Sequence, residues 1–323
     1  AARLSWEPLL SDWVLPRQQG FLSGRSILQN LLDVDTASMH TSLMHDSGAC
    51  ILLDFSSAFP SISQDYMSKV LSSIGIPNQA INFISSLYHE SYCRIQLNGS
   101  TGNHFYLQAG VRQGCPLSPL LYAVVAEVLL DNLEFHCPQT LRAYADDTAL
   151  ITEDIWQEGP KLATLFHQFQ AISGLRLNYN KCVIIPLTTT PHQQLQHHIT
   201  RLIPSWQDMV ISDNGKYLGF YVGPGKGNNS WIEPTTKYLQ RCQLWNDKPL
   251  GMHFHTLTYN SLAISTLTYI AQLEHPPPST LAAEIQGLQL TIKGPGGIGL
   301  RGWATTKDCL LYTSDAADDQ ASV

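Results

Sequence analysis

Apolar residues recur at helical spacing through much of the chain, and this pattern predicts a series of helices. The spacing favours amphipathic helices over Ile27–Met44, Ser63–Ser73 and Asn78–Tyr88. A longer apolar run, Leu120–Leu133, and a further amphipathic stretch, Lys161–Ser173, predict two more. Shorter apolar segments of a different period lie between these helices. The pattern therefore favours an α+β fold.

Strands are predicted where apolar residues run without interruption or alternate with polar ones. Ala49–Leu53 is an uninterrupted apolar run, which is typical of a strand buried on both faces. Tyr92–Leu97 and His104–Leu107 alternate, and the Gly- and Asn-containing segment 98–103 is expected to join them as a hairpin. Lys216–Phe220 is expected to form a further short strand.

Glycine and proline divide the chain into two regions. The segment 223–229, Gly-Pro-Gly-Lys-Gly-Asn-Asn, has the composition of a linker. After it, Trp231 to about Gln272 has a helical pattern in which basic and aromatic residues are interleaved, and the prolines of 275–278 end the pattern. We therefore predict one region over 1–222 and a second, helical region over 223–308.

Two adjacent acidic residues provide the first candidate chemistry. Asp146 and Asp147 stand in the segment 141–151, whose apolar flanks predict a strand, a two-residue turn and a second strand. A solvated hairpin tip is one interpretation, because Asp is common in turns. Asp54, however, ends the predicted buried strand, and an antiparallel sheet can bring it beside the pair. Three close carboxylates repel one another unless cations lie between them, and hard oxygen ligands suit Mg²⁺ or Mn²⁺.

Six short sequence motifs, some of which contain these acidic residues, follow one another along the chain. They are Gln19-Gly20-Phe21 with Gly24-Arg25-Ser26; Asp54 with Ala58-Phe59; Ala109–Pro119; Tyr144–Asp147; Ser173-Gly174-Leu175 with Asn178 and Lys181; and Lys216–Gly219. In this order they resemble the reverse transcriptase domain of non-LTR, LINE-type retrotransposons, from about residue 19 to 272. The resemblance implies a right-hand polymerase fold, with fingers and an antiparallel palm sheet in 1–222 and a partial thumb in 223–308.

The resemblance also implies an activity and its partners. The expected reaction is RNA-directed DNA synthesis, in which a deoxynucleotide is transferred from a dNTP to a primer 3′-hydroxyl. By resemblance, Asp54, Asp146 and Asp147 hold two Mg²⁺ or Mn²⁺ ions. Lys181 is a candidate general acid for the leaving pyrophosphate, with a surface lysine as the alternative. The implied partners are an RNA template, a DNA primer and dNTPs, and the implied location is intracellular, in the nucleus or in a retroelement ribonucleoprotein.

Further residues receive substrate-binding roles from the same resemblance. Phe59 would clash with a 2′-hydroxyl and so select deoxynucleotides, although a core aromatic is the alternative. Arg25 is expected near the template or the nucleotide, with a helix-capping role equally open. The other residues expected to bind nucleotide or template are Phe55, Arg112, Gln113 and Gly114, and those expected to bind primer or template are Tyr144, Leu218 and Gly219. Pro60 departs from the family, most members of which carry an acidic residue there.

Charge and composition modify this picture. The formal charge is −7, from 26 acidic and 19 basic residues, which is unusual for a protein that binds nucleic acid. The stretch 309–323 contains Cys309–Asp319, which matches the translation of a sequencing-library adapter, and we expect it to lie outside the fold. Without its three aspartates the formal charge is −4. Template binding must then depend on local basic patches or on another part of a longer parent protein, and the start at Ala1 predicts a fragment.

Other classes of protein are disfavoured to different degrees. Seven scattered cysteines without a Cys-x-x-Cys pair argue against a zinc knuckle and a disulfide scaffold. No apolar run approaches the length of a membrane span, so no membrane partner is expected. An RNA-dependent RNA polymerase shares the acidic layout, but Phe59 argues against it. A decayed or domesticated element that only binds nucleic acid is the other alternative, against which the three intact acids argue. The oligomeric state is left open.

Overall fold

The computed structural model describes residues 2–136, 140–246, 248 and 251–291. The chain forms two compact units, 1–226 and 227–323, and the division falls within the predicted linker 223–229. The predicted adapter stretch 309–323 and the end of the predicted thumb, 292–308, lie outside the described residues. Among the described helices, none has the length and apolar character that a bilayer span requires.

The helices of the first unit largely follow the predicted pattern. They are α1 (Ala2–Ser11), α2 (Ile27–Met44), α3 (Ala58–Ser61), α4 (Gln64–Ser73), α5 (Asn78–Tyr88), α6 (Ser118–His136), α7 (Ile155–Ser173) and α8 (His192–Leu202). Helix α7 begins six residues before the predicted start at Lys161. The reason is an N-cap, because the Asp154 carboxylate accepts hydrogen bonds from the backbone N–H groups of Trp156 and Gln157. Pro160 is accommodated inside this helix.

The strands of the first unit form one five-stranded sheet and two hairpins. They are β1 (Ala49–Leu53), β2 (Tyr92–Leu97), β3 (Ser100–Tyr106), β4 (Leu141–Tyr144), β5 (Asp147–Thr152), β6 (Val183–Pro186), β7 (Val210–Ile211), β8 (Gly215–Tyr217) and β9 (Phe220–Val222). The sheet has the order β4-β5-β1-β6-β7, and its pairs are antiparallel except β6–β7. Strand β1 is therefore central, with a neighbour on each edge.

The buried strand β1 explains why its sequence is an uninterrupted apolar run. All five of its residues are buried. Ile51 and Leu53 belong to the main core, together with apolar residues of α4, α6 and α7. Cys50 points to the opposite face, toward the buried Ser38 of α2. Helices thus cover both faces of the sheet, as the uninterrupted pattern predicted.

Both hairpins correct details of the prediction. Strand β3 begins at Ser100, so the β2–β3 turn is only Asn98-Gly99, with φ values of 50° and 82°. Asn-Gly favours such two-residue turns because both residues tolerate positive φ. The predicted strand Lys216–Phe220 is instead the centre of the β8–β9 hairpin, in which Leu218-Gly219 form the turn with φ values of 49° and 89°.

The second unit is helical in its described part. Its helices are α9 (Asn229–Asn246), α10 (Met252–Thr258), α11 (Ser265–Ala271) and α12 (Pro278–Thr291), with a π-helical segment, Tyr259–Ile264, before α11. Tyr238 is fully buried, and its hydroxyl lies within hydrogen-bond distance of the Tyr259 hydroxyl, at 3.2 Å, and of the Glu284 carbonyl, at 3.0 Å. The Arg241 guanidinium donates to the Leu262 carbonyl. These two side chains serve the helix packing, and the thumb role of this unit stays a prediction.

A buried ion pair ties the N-terminal segment to α6. Arg17 and Glu127 are 4% and 2% exposed, and their side chains lie 2.6 Å apart. Asp131 and Glu134, one and two turns further along α6, also contact the Arg17 guanidinium. Burial raises the pKa of Glu127 to about 7, because desolvation outweighs the opposing charge of Arg17. Glu127 therefore binds its proton more tightly in the folded than in the unfolded chain.

This pKa predicts how stability depends on pH. The folded pKa lies above the unfolded value, so the contribution to stability is full below about pH 4.5 and is lost as pH rises through 7. We expect the change in unfolding free energy between pH 5 and 7 to shrink by on the order of 2 kcal/mol in Glu127→Gln. Urea unfolding at both pH values measures it. Equal dependence of the unfolding free energy on pH in the wild type and in Glu127→Gln would contradict the prediction.

Candidate active site

The β4–β5 hairpin and the end of β1 bring the three predicted carboxylates together. Tyr144 pairs with Asp147, which leaves Ala145 and Asp146 as the two-residue turn. In the neighbouring pair, Leu53 of β1 lies opposite Thr148 of β5. The next residue of β1 in this register is Asp54, beside Asp147 at the same end of the sheet. The predicted strand, turn and strand and the predicted convergence are both present.

The electrostatics of this corner reflect the convergence. Burial, followed by the charges of Asp146 and Asp54, raises the pKa of Asp147 to about 6. The pKa of Asp146 is also raised, by burial and then by the charge of Asp54, against its own backbone hydrogen bond. The charge of Asp54 thus makes ionisation of both Asp146 and Asp147 harder. Positive charge placed between them would relieve this repulsion.

The donor set at this corner fits divalent cations in kind. Its ligands are carboxylate oxygens, which Mg²⁺ and Mn²⁺ prefer, and their mutual repulsion is a cost that a cation removes. Within the described ranges, no group of three or more His, Cys, Asp or Glu side chains is already arranged to hold a metal. Mg²⁺ commonly uses only one or two carboxylates and takes further oxygens from water and substrate phosphates.

The backbone of Asp54 is held by the loop before β6. The Asp54 carbonyl accepts a 2.8 Å hydrogen bond from the Asn178 N–H, and the Asp54 N–H donates to the Cys182 sulfur at 3.4 Å. Lys181, the candidate general acid, stands on the same loop, and its side chain is exposed. Its backbone N–H donates to the Asn178 carbonyl at 2.9 Å. The candidate acid is thereby on a segment fixed to a candidate metal ligand.

Phe59 lies in an aromatic cluster beside the carboxylates. Its ring stacks on Tyr122 of α6 with the centroids 4.7 Å apart, and Phe21 meets it edge to face at 6.1 Å. Phe21 also contacts Tyr144, at 6.3 Å. The charges of Asp146 and Asp147 help to raise the pKa of Tyr122, after burial, so the cluster adjoins the acidic corner. Phe59 is only partly buried. Its ring therefore packs against the core, as the alternative prediction held, and is also partly accessible to solvent.

The loop before α6 is locked to the segment that carries Phe59. Gly110 donates its N–H to the Ile62 carbonyl at 2.7 Å, and Val111 donates to the Phe59 carbonyl at 2.8 Å. Gly110 has a φ of 87°, and a Cβ there would stand 2.6 Å from the Pro60 carbonyl oxygen. Pro60, the departure from the family pattern, therefore packs directly on the glycine of the next motif.

We expect Gly110→Ala to lower the free energy of unfolding by about 2–5 kcal/mol, since it adds left-handed strain to a backbone clash. Gly75→Ala is the matched control: Gly75 has a φ of 82°, but no atom lies within 4 Å of the position of its Cβ. In the control, the free energy of unfolding should fall only by the cost of the left-handed strain, about 1–2 kcal/mol. Urea unfolding of both variants measures the difference, and equal losses would exclude the clash with Pro60.

The other predicted residues of this loop are exposed. Gln113 and Gly114 are open to solvent, and Gly114 adopts a φ of 83°. The Arg112 guanidinium donates a 2.5 Å hydrogen bond to the Ser91 hydroxyl at the base of the β2–β3 hairpin. These three positions are accessible to a ligand, and their roles stay predictions.

Arg25 and Phe55 lie differently from what their predicted roles require. The Arg25 guanidinium donates to four backbone carbonyls that follow or end α1, those of Ser11, Val14, Leu15 and Gln18. It thus caps the end of α1, whereas the start of α2 is capped by Ser26. Phe55 is 7% exposed and contacts Phe166, because side chains alternate along a strand and Asp54 takes the site face. Its ring belongs to the core.

Polar residues that the sequence pattern did not single out hold the acidic hairpin in place. The Tyr217 hydroxyl donates to the Asn30 side chain at 2.9 Å, and the Asn30 amide donates to the Ala143 carbonyl at 3.0 Å. Tyr217 precedes the turn of Leu218 and Gly219, so this contact links the β8–β9 hairpin to β4. Gln18 contacts the turn itself. Asn30 and Gln18 are fully buried, and no spacing pattern in the sequence singles them out.

An antiparallel sheet that carries converging aspartates at one end, with helices on both faces, defines the palm of a right-hand polymerase. The solved structures agree with this fold. A telomerase from Candida tropicalis in complex with a fragment of telomeric RNA matches 95% of this chain and 47% of its own, with a TM-score of 0.54 and 12% identity. The apo telomerase of that organism matches 89% of this chain and 49% of its own, with a TM-score of 0.52 and 13% identity.

The chain belongs to the reverse transcriptase (RNA-dependent DNA polymerase) family, whose model matches residues 3–222. Its relatives are proteins of non-LTR retrotransposons, as the sequence motifs predicted. The 149 kDa protein of transposon TX1 from Xenopus laevis is 26% identical over 83% of this chain and 21% of its own length. The Pol polyprotein of retrotransposable element R2DM from Drosophila melanogaster is 27% identical over 78% of this chain and 26% of its own.

The chain thus spans about a quarter of the length of these curated relatives. The family catalyses RNA-directed DNA polymerisation, uses divalent metal ions and binds RNA templates.

Proposed function

We propose that this chain catalyses RNA-templated DNA synthesis for a LINE-type retroelement, adding deoxynucleotides to a primer 3′-hydroxyl. The observation that carries the proposal is the register of β1 and β5, which brings Asp54 beside Asp146 and Asp147. The raised pKa values of Asp146 and Asp147, to which the charge of Asp54 contributes in both cases, support it, since such a group of acids is costly without a cationic ligand.

In this proposal, Asp54, Asp146 and Asp147 hold two Mg²⁺ ions. When bound, the two ions lower the pKa of the primer hydroxyl and neutralise the triphosphate. The primer 3′-hydroxyl loses its proton to solvent water as its oxygen forms a bond to the α-phosphorus, and the bond from that phosphorus to the pyrophosphate oxygen breaks. Lys181 supplies a proton to the pyrophosphate from the loop that is fixed to Asp54.

The remaining predicted residues position the substrates. Phe59, supported by Tyr122 and Phe21, packs under the sugar of the incoming dNTP and excludes a 2′-hydroxyl. Arg112, Gln113 and Gly114 face the nucleotide and the template base from the exposed loop before α6. Tyr144 and the β8–β9 turn, Leu218 and Gly219, lie along the primer end. The proposal extends to location: the protein would act inside the cell, in the nucleus or in a retroelement ribonucleoprotein.

Primer extension tests this function directly. Residues 1–308 would be incubated with poly(rA)/oligo(dT) and Mg²⁺ or Mn²⁺, with either dTTP or UTP. We expect incorporation of dTTP and not of UTP. Incorporation of UTP alone would replace the proposal with an RNA-dependent RNA polymerase. If a folded chain binds the duplex but extends nothing, even within a longer parent chain, the nucleic-acid-binding alternative replaces it.

A further inference from the structure

A buried glutamine contacts the turn that carries the candidate catalytic aspartates. Gln18 has no exposed surface. Its side-chain oxygen accepts hydrogen bonds from the backbone N–H groups of Ala145, at 2.8 Å, and Gly20, at 2.9 Å. Its side-chain nitrogen donates to the Ala145 carbonyl at 3.1 Å. One side-chain amide therefore satisfies both backbone groups of the residue immediately before Asp146.

Ala145 needs such support because its backbone conformation is unfavourable. Its φ is 59°, in the left-handed region that costs a non-glycine residue roughly 1–2 kcal/mol. Ala145 is also 7% exposed, so water cannot easily take the place of the Gln18 amide. In a two-residue turn, the backbone angles at Ala145 determine where the next Cα–Cβ bond, that of Asp146, points.

The chain on either side of Gln18 is built for this contact. The segment 17–20 runs beside β4 like an added strand, with Gln19 donating to the Ala143 carbonyl at 2.7 Å and Ala143 donating to the Arg17 carbonyl at 2.8 Å. Gly20 approaches the turn so closely that a Cβ there would stand 2.3 Å from the Ala145 nitrogen. The glycine of this motif is thus explained by the turn, and so is the glutamine two residues before it.

We propose that Gln18 is a positioning residue for nucleotide addition, which fixes the Ala145–Asp146 turn in its active conformation without touching substrate. This inference rests on the proposed polymerase function for its kinetic part only. Its structural part, the stabilised turn, can be tested on the wild-type protein whether or not the chain is active.

The first test is amide hydrogen exchange in the wild-type protein. The reference is Gly99, in the turn of the exposed β2–β3 hairpin. With Gln18 bonded to it, the Ala145 amide should exchange roughly 100-fold or more slowly than the Gly99 amide. Exchange of Ala145 as fast as that of Gly99 would overturn the proposal. This measurement requires no variant, so it decides the matter even if variants fold poorly.

The second test compares two adjacent glutamines. Gln18→Met keeps the length of the side chain and removes its hydrogen bonds; it should slow single-nucleotide addition roughly 10- to 100-fold while the template–primer Kd stays within about twofold. Gln19→Met is the matched control, since among the described residues the Gln19 side-chain amide is hydrogen-bonded to the Pro16 carbonyl and the Ser26 N–H and not to the acidic turn. It should retain the wild-type rate.

The third test separates positioning from general bracing of the N-terminal segment. Glycine adopts the left-handed conformation without cost, so Ala145→Gly should recover part of the rate lost in Gln18→Met. A proportional loss of rate, template–primer affinity and thermal stability in Gln18→Met, with no recovery by Ala145→Gly, would overturn the proposal.

Discussion

Asp146→Asn is expected to abolish dTTP incorporation on poly(rA)/oligo(dT) while the protein still folds and binds the duplex. The variant keeps the shape of the side chain and removes the charge that holds a divalent cation. Loss of several kcal/mol of charge stabilisation corresponds to a roughly thousand-fold or larger fall in rate. Because Asp146 is half-buried, removal of its charge also relieves the repulsion from Asp54, and we expect the variant to unfold at a higher temperature than the wild type. Activity and stability should therefore change in opposite directions.

The measurement pairs single-turnover primer extension with thermal unfolding of the same samples. Asp208→Asn is the matched control, since Asp208 lies exposed in the turn after the 3₁₀ segment Pro204–Trp206. It should retain the wild-type rate. Activity of Asp146→Asn within tenfold of the wild type would show that the acidic corner does not hold the catalytic ions.

Phe59→Val is expected to admit ribonucleotides. The ring now stands between Tyr122 and Phe21 and cannot move aside when a 2′-hydroxyl approaches. Valine lacks the aromatic ring and leaves space for a 2′-hydroxyl. The preference for dTTP over UTP should therefore fall by roughly 100-fold, which is the discrimination that a single apolar contact in a binding pocket typically provides. Incorporation of dTTP itself should fall less, because the carboxylates are unchanged.

The ratio of kcat/KM for dTTP and UTP measures this effect. Phe135→Val, at an 82% exposed phenylalanine of α6, is the control and should leave the ratio unchanged. Because loss of the stack on Tyr122 also destabilises the protein, the ratio is the informative quantity and the absolute rate is not. An unchanged ratio in a folded Phe59→Val protein would assign the ring to the core alone.

Much of the fold was predictable because buried residues are apolar and recur in the sequence with the period of the helix or strand that contains them. The uninterrupted apolar run of β1 required a strand covered on both faces, and the bounds of α2 and α5 follow from apolar spacing alone. The start of α7 could not be predicted from apolar spacing, because it depends on the Asp154 N-cap. The β2–β3 turn was placed correctly but predicted to be six residues long where it has two, and the β8–β9 turn was predicted to be part of a strand. Both turns depend on positive φ, at Asn98 and Leu218, which alternation does not encode.

The candidate site likewise contains residues that the sequence predicted and residues that it did not. Asp54 and Asp146 were predictable because acids directly after or between buried apolar segments are conspicuous. Gln18 and Asn30 were not, because each contacts backbone atoms more than a hundred positions away and leaves no spacing pattern. The structural role of Arg25 toward the carbonyls after α1 was likewise invisible in the motif that contains it.

The dependence of Asp54 on Cys182 has a consequence for biosynthesis. The two residues are 128 positions apart, and β1 gains its neighbours β5 and β6 only when residues 147–152 and 183–186 are present. A nascent chain emerging from the ribosome therefore carries β1 as an apolar strand with two open edges until residues 147–152 are made, and with one open edge until residues 183–186 follow. That interval is when chaperone binding would protect the chain most, and ribosome-stalled lengths that end before Cys182 should be the ones most sensitive to protease and aggregation.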